Sequence, residues 1–379
     1  MKSMGFRRTA LCVALGVCLT SALSLHQAHA ANTDGSLVGR TTPNAEVTVR
    51  NPATGFVRTV RADGQGNYRF PFLPVGNYQV EVAADGHSLS EPAQTTISLG
   101  NATTLNIAAG GSATDLAAVQ VIGTRVVSPV DVTSTEIATN ISREEVARLP
   151  VQRDIIDVAT LAPGVNRGEF GGISFGGSSV AENTVYINGL NVTDFYNRVG
   201  FSSLPFSFLE EFQIKTGGYS VEYGRSTGGV INAVTRRGTN EFHAGADVVI
   251  DGLWQGEGRN YAPTLYTKWD DSDENNYSVW GSGALIKDKL FFFGIYEKRD
   301  LDSQNTDDGG GNFFENQGDN DFWGAKVDWQ INDSNLLEVF GFSDKNDTTQ
   351  DVFGFDPDTG ARGDFRNRII NKNGGNNWA

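Results

Sequence analysis

The chain has 379 residues, enough for two or three domains, and a formal net charge of −15. That acidity argues against nucleic acid or an anionic membrane surface as partner. Its only two cysteines, Cys12 and Cys18, fall in a segment that reads as an export signal, so the mature chain is expected to lack disulfides.

The export signal comes first in chain order. Lys2, Arg7 and Arg8 form a basic start, Ala10 to Leu23 are largely apolar, and Ala28-His29-Ala30 fits a small-residue cleavage site, giving a signal over 1–30. The apolar run is short for a membrane span. Removing its three basic residues leaves 27 basic against 45 acidic, a net charge of −18. No later segment is a hydrophobic helix long enough to cross a bilayer.

Residues 36–108 read as a small β-sandwich. AEVTVR places Ala45, Val47 and Val49 on one face. After an Asp63-Gly64 turn, NYRFPF presents Tyr68, Phe70 and Phe72; Leu73-Pro74-Val75-Gly76 turns the chain, and NYQVEV presents Tyr78, Val80 and Val82. A small-residue linker follows. Within 109–125, DLAAVQVIGTR alternates weakly, and an isolated strand of this kind is open to capture by the edge of a partner's sheet.

Residues 126–239 read as a mixed α/β domain. Ser142 caps a short helix, with Glu145 completing a capping box, and Leu149-Pro150 ends it. A second helix is expected over Asp154 to Leu161. TVYINGLNV is a hairpin turning at Asn188-Gly189. EEFQIKTGGYSVEYGRSTGGVINAVTRRGTN supplies two strands, and the glycines at 217, 218, 224, 228 and 229 are expected where the backbone turns or passes close to a wall of later strands.

From Asn240 the pattern changes. Strands are expected at Glu241–Gly252, Asn275–Ile286, Leu290–Leu301, Asn320–Ile331 and Leu336–Lys345, five in all, followed by a long polar tail. The connections alternate: long over Leu253–Glu274 and Asp302–Asp319, short at Lys287-Asp288-Lys289 and Asn332–Asn335. Outer-membrane barrels sort their loops this way. Trp280, Tyr296, Trp323 and Trp329 suit interfacial girdles. Asp270, Asp271, Asp273 and Glu274 form a solvated acidic loop or a cation bridge to lipid headgroups.

The order of these parts resembles a TonB-dependent outer-membrane receptor, in particular the Oar-like branch with its extra N-terminal domain. ADGQGNYRFPFLPVGNYQVEVAADGH resembles the carboxypeptidase regulatory-like domain, and Leu116, Ala117, Ala118, Val119, Gln120 and Val121 resemble a TonB box. IIDVATLAPGVN, FGGISFGGSSVAENTVYINGLNVTDF and the glycine-punctuated strands resemble a plug domain, and DKLFFFGIYEKRD resembles the third barrel strand. The fold is therefore expected to be mainly β: a small sandwich, a mixed α/β plug, then over 240–379 the start of an antiparallel transmembrane barrel. Five strands do not close a barrel of this family, so the chain is expected to be an incomplete N-terminal part.

The resemblance implies TonB-driven import of a ligand that the sequence does not name. Its partners would be TonB, outer-membrane lipid and the external ligand. Phe170–Ser178 and Asn191–Arg198 would be outward plug loops, and no ligand residue is assigned. No catalytic residue, metal or cofactor is expected: His87 and His243 sit in separate domains without ligand spacing, and no GxSxG or GK[ST] motif occurs. An adhesin or passive barrel, and a secreted enzyme related to metallocarboxypeptidases, are the alternative readings.

Overall fold

Alternating apolar residues build the first pair of sheets as expected. In this computed structural model the described residues are 33–84, 87–107, 136–149, 154–168, 172–194, 200–252, 270–307, 311–332, 335–356 and 358–379. The expected export signal, residues 1–30, lies outside them. One sheet orders β4 (Asn67–Pro74), β1 (Asp34–Arg40) and β8 (Ala102–Thr104). The other orders β3 (Val57–Arg61), β2 (Glu46–Arg50), β5 (Gly76–Ala84) and β6 (His87–Ser88), with β7 (Ala93–Ile97) also on β5. Val47, Val49, Phe70 and Val80 are fully buried between them. Tyr78 donates its hydroxyl to the Pro74 carbonyl at 2.8 Å, and burial pushes its pKa up to about 12.

Phe72 departs from the expected face. The β1–β4 register shifts between Gly35 and Leu37, one extra residue enters β4, and Phe72 takes a φ of 55° with 68% of its surface exposed. Leu73 fills the core position instead. A bulge inverts the side-chain alternation beyond it, which the local pattern does not reveal.

The second unit holds β9 (Ile137–Ser142), α1 (Arg143–Val146), α2 (Ile155–Ala159), β10 (Val165–Arg167), β11 (Ile173–Phe175), β12 (Thr184–Ile187), β13 (Leu190–Asn191), β14 (Leu209–Gly217) and β15 (Val230–Thr235). Its main sheet runs β13-β12-β15-β14-β9, with β12 and β15 parallel. The capping box forms: Ser142 Oγ accepts from the Glu145 backbone at 3.4 Å, and the Ser142 backbone donates to Glu145 Oε2 at 2.8 Å. Helix α2 is shorter than expected, capped by Asp154. Asn188 and Gly189 turn the hairpin at φ 46° and 80°. The Asn188 amide also exchanges two hydrogen bonds with Thr235, at 2.7 and 2.9 Å, tying the hairpin to the end of β15.

The third unit is one antiparallel wall: β16 (His243–Gly252), β17 (Asp271–Ile286), β18 (Leu290–Thr306), β19 (Asn312–Asn332), β20 (Asn335–Ser343), β21 (Asn346–Asp356), β22 (Ala361–Asn373) and β23 (Asn376–Trp378). The expectation of five strands and a polar tail is corrected. The tail forms three further strands, and residues 271–274, 302–306 and 312–319, expected in loops, extend β17, β18 and β19. Asp271, Asp273 and Glu274 are thus strand residues. The extensions of β17 and β18 are polar on both faces and that of β19 has only Phe313 and Phe314, so they carry no regular apolar period for a sequence reading to find. Main-chain pairing holds them, and the tail strands β21 and β22 add pairs such as Arg368 to Asp351 at 2.6 Å. β19 pairs with β20 along Trp323–Asn332 and with β21 along Asn312–Gly318.

Candidate functional site

The wall has two chemically distinct faces. Val248, Ile250, Tyr277, Val279, Tyr296, Val327, Trp329, Leu337 and Val339 are exposed on one. From Trp323 to Ile331 this band runs ~26 Å along the strand, or ~20 Å at a tilt of ~40°, close to the ~25 Å apolar belt of outer-membrane barrels. Among the aromatic residues expected in girdles, Tyr296 and Trp329 lie exposed on this face and Trp323 packs against Trp378 with ring centroids 5.3 Å apart, tilted at 50°. Trp280 does not belong there. It shares the inward parity of Ser278 and Ser282, donates to Asp247 at 3.0 Å and stacks on Phe293 at 6.2 Å.

The other face buries Phe293, Ile295, Phe322, Phe340 and Phe342 in one continuous core with the second unit. Phe208, fully buried ahead of β14, is the central contact. Its ring centroid lies 6.0, 5.7 and 6.4 Å from those of Phe293, Phe322 and Phe342. Gly324 makes this approach possible, since a Cβ there would sit 2.9 Å from the Phe208 ring.

The linker Arg236–Asn240 carries the chain from β15 to β16 along this face. Arg236 lies over the Trp280 ring at 3.8 Å. Burial, then the neighbouring Arg143 charge, push its pKa down to about 10, so it stays cationic at neutral pH. Arg237 pairs with Glu338 and lies 3.9 Å from Asp328. Lys326 reaches Glu338 at 3.0 Å and Asp328 at 3.4 Å. Burial works against the Arg237 charge, but Asp328 and Glu338 outweigh it and hold its pKa above the usual range. Two cations and two anions thus close the junction, and deleting one partner would strand a buried charge at a cost of about 3–5 kcal/mol.

The glycines divide between two tasks. A Cβ on Gly238 would meet the Gly283 and Phe292 carbonyl oxygens at 2.5 Å, so the linker does run against the wall. Gly228 and Gly229 instead face the second unit's own Asn183 and Phe175, both at 2.2 Å from a built Cβ. For those two, the expected approach to the wall is corrected. Gly224 has nothing within 4 Å, and Gly217 meets only Ile137 at 3.8 Å.

Leu116–Val121 lies outside the described residues, as do parts of Phe170–Ser178 and Asn191–Arg198. Just beyond the latter, Ser203 accepts from Arg299 at 3.3 Å, on the part of β18 remote from the Lys287–Lys289 turn. No group of three or more His, Cys, Asp or Glu side chains is placed to hold a metal among the described residues. Phe208, Lys326, Asp328 and Glu338 were not singled out from the sequence. Charged residues at the inward positions of strands whose outward positions are apolar were the available signal.

An antiparallel wall with an apolar outer belt, packed against a mixed α/β domain joined directly to its first strand, is the arrangement of the start of a plugged membrane barrel. The model of the carboxypeptidase regulatory-like domain matches residues 33–110, and that of the TonB-dependent receptor plug domain matches 131–231. The pairing of these two domains is similar to that of TonB-dependent receptors of the outer membrane. It is 32% identical over 260 residues to the TonB-dependent transporter Oar of Myxococcus xanthus, covering 65% of this chain and 24% of that protein. It is 26% identical over 189 residues to the probable TonB-dependent siderophore receptor PirA of Acinetobacter baumannii, covering 43% and 23%. The chain thus spans about a quarter of the length of the curated relatives it matches. Among solved structures, the outer membrane transporter YddB of Escherichia coli is similar at 19% identity and a TM-score of 0.42, covering 57% of this chain and 36% of that one.

Proposed function

We propose that the protein imports a ligand across the outer membrane, driven by TonB, and performs transport rather than catalysis. The domains on this reading are a signal over 1–30, a β-domain over 36–108, a linker with the TonB box over 109–125, the plug over 126–239 and barrel strands from 240. The observation that carries it is the plug–wall junction: β15 runs through Arg236–Asn240 into β16, while Phe208 packs against the inner wall. A separately folded plug so joined can move while a hydrogen-bonded wall stays in place. Leu116–Val121 is the segment that TonB captures as an added strand, and tension on it reaches the plug through the chain that leads to β9.

The test is binding of a purified periplasmic TonB domain to the complete receptor. Val119→Pro removes a backbone donor from the box and is expected to weaken binding at least tenfold, whereas Ser112→Pro, outside it, leaves binding unchanged. Equal affinity for the Val119→Pro variant and the parent would reject the box.

A further inference from the structure

The β-domain does not hang free of the other two units. Its Leu99-Gly100 turn seats on a polar patch of β14 and β9. The Leu99 carbonyl accepts from Gln213 Nε2 at 2.7 Å and from Asn140 Nδ2 at 2.8 Å, and the Leu99 backbone donates to Glu211 Oε1 at 3.3 Å. Within the patch, Asn140 Nδ2 also donates to Glu211 Oε1 at 2.9 Å, and Gln213 Nε2 to Asn140 Oδ1 at 3.2 Å. All three side chains belong to residues no more than 6% exposed. Gly100, at φ +67°, lies so close that a Cβ would meet the Gln213 side chain at 2.5 Å.

A second contact reaches the wall. The Asn240 backbone, at the start of the wall, donates to the Ala53 carbonyl at 2.7 Å. Asn240 is itself held to Asp288, in the β17–β18 turn, by hydrogen bonds of 2.7 and 2.8 Å. A Cβ built on Gly55 would lie 3.0 Å from Asp288 Cβ. One rigid sandwich therefore grips a plug strand and a wall turn at the same time. While both grips hold, β14 cannot shift against Asp288.

The chemistry of the grip decides its kind. Plug meets wall through phenylalanine rings, whose separation would expose apolar surface to water. Plug meets β-domain through an amide pair, a carboxylate and a backbone turn, all of which water solvates once they part. Such a polar contact costs little to open and recovers its hydrogen bonds on closing.

We propose that the N-terminal β-domain is a releasable latch that holds the plug in register with the wall. The proposal rests on the reading of the plug as a movable element, but its tests involve neither TonB nor a ligand. Failure of the box and failure of the latch are therefore separate results.

Hydrogen exchange on the complete receptor in outer membranes reads the latch directly. Gly100→Leu drives bulk into Gln213 and is expected to speed exchange at least tenfold in Ile137–Ser142 and Leu209–Gly217. The β2 and β5 amides should not change. If only the turn around Gly100 responds, or nothing does, the latch is wrong. If the sandwich itself loosens, a second variant decides. Gly55→Cys with Asp288→Cys places two Cβ atoms 3.0 Å apart, about half an ångström inside the ~3.5–4.5 Å of a disulfide, so a small outward shift of either turn closes the bond, in a chain whose natural cysteines are Cys12 and Cys18. The oxidised pair is expected to slow exchange in β9 and β14 below that of the parent, and reduction to restore it. No cross-link, or no change of plug exchange on reduction, overturns the proposal.

Discussion

At Gly229 an added methyl group would have no room. The Phe175 ring would lie 2.2 Å from it, and Phe175 is itself buried. Gly229→Ala is therefore expected to cost about 1–3 kcal/mol of plug stability through overpacking. The check is the rise in amide exchange along β15, with the wall strands as internal reference. Gly224, by contrast, borders open space, and alanine there should change exchange little. The sequence marked both residues as glycine and could not separate them, because the neighbour that forbids a side chain at Gly229 is more than fifty residues away.

Among the elements, turns were read more surely than faces. Asp63 closes the β3–β4 connection by accepting from the backbones of Gln65 and Asn67, each at 2.8 Å, and from the Asn67 amide at 2.9 Å. The Asn67 side chain first, then its backbone, hold the Asp63 carboxyl below its ordinary value of 3.8. A group depressed on folding stabilises above its unfolded pKa, so the contribution is complete above pH 3.8 and fades as pH falls through the lower folded value. Acidification through that window is expected to loosen this turn, and Asp63→Asn to remove the acid dependence, as measured by exchange of the Gln65 and Asn67 amides against pH. Asn188-Gly189 and the Ser142 capping box were legible for the same reason: each is decided by residues within four positions. The faces of Phe72 and Trp280 were not, since a bulge or a strand's parity depends on its partner. Strands β21 and β22 escaped notice because their apolar residues do not alternate regularly, and backbone pairing leaves no mark on side-chain pattern.

For the whole molecule, the Phe208 contact couples plug to wall. Phe208→Ala removes the ring that meets Phe293, Phe322 and Phe342, and should cost about 3–5 kcal/mol of that coupling. The expected result is a plug that a protease added to opened outer membranes cleaves faster, with wall strands still resistant. Equal cleavage in parent and variant would show that the charged junction of Arg237, Lys326, Asp328 and Glu338 suffices. Of this junction, only the Arg236-Arg237-Gly238 linker was visible in advance. Asp328 and Glu338 become shared partners of Arg237 and Lys326 only when β19 and β20 pair beside the linker.

The sequence by itself determined the expected order of parts, the sorting of connections by length and the resemblance to a receptor family, because alternation, turn residues and motifs are local and repeat along the chain. Tertiary structure alone decided which inward residues meet, that Phe208 is the central contact of the shared core, and that the β-domain grips both plug and wall. Those contacts join residues far apart in the chain, 114 positions between Leu99 and Gln213 and 187 between Ala53 and Asn240. At such separations the amide of Gln213 has no local reason to be there, and only the neighbour that folding delivers explains it.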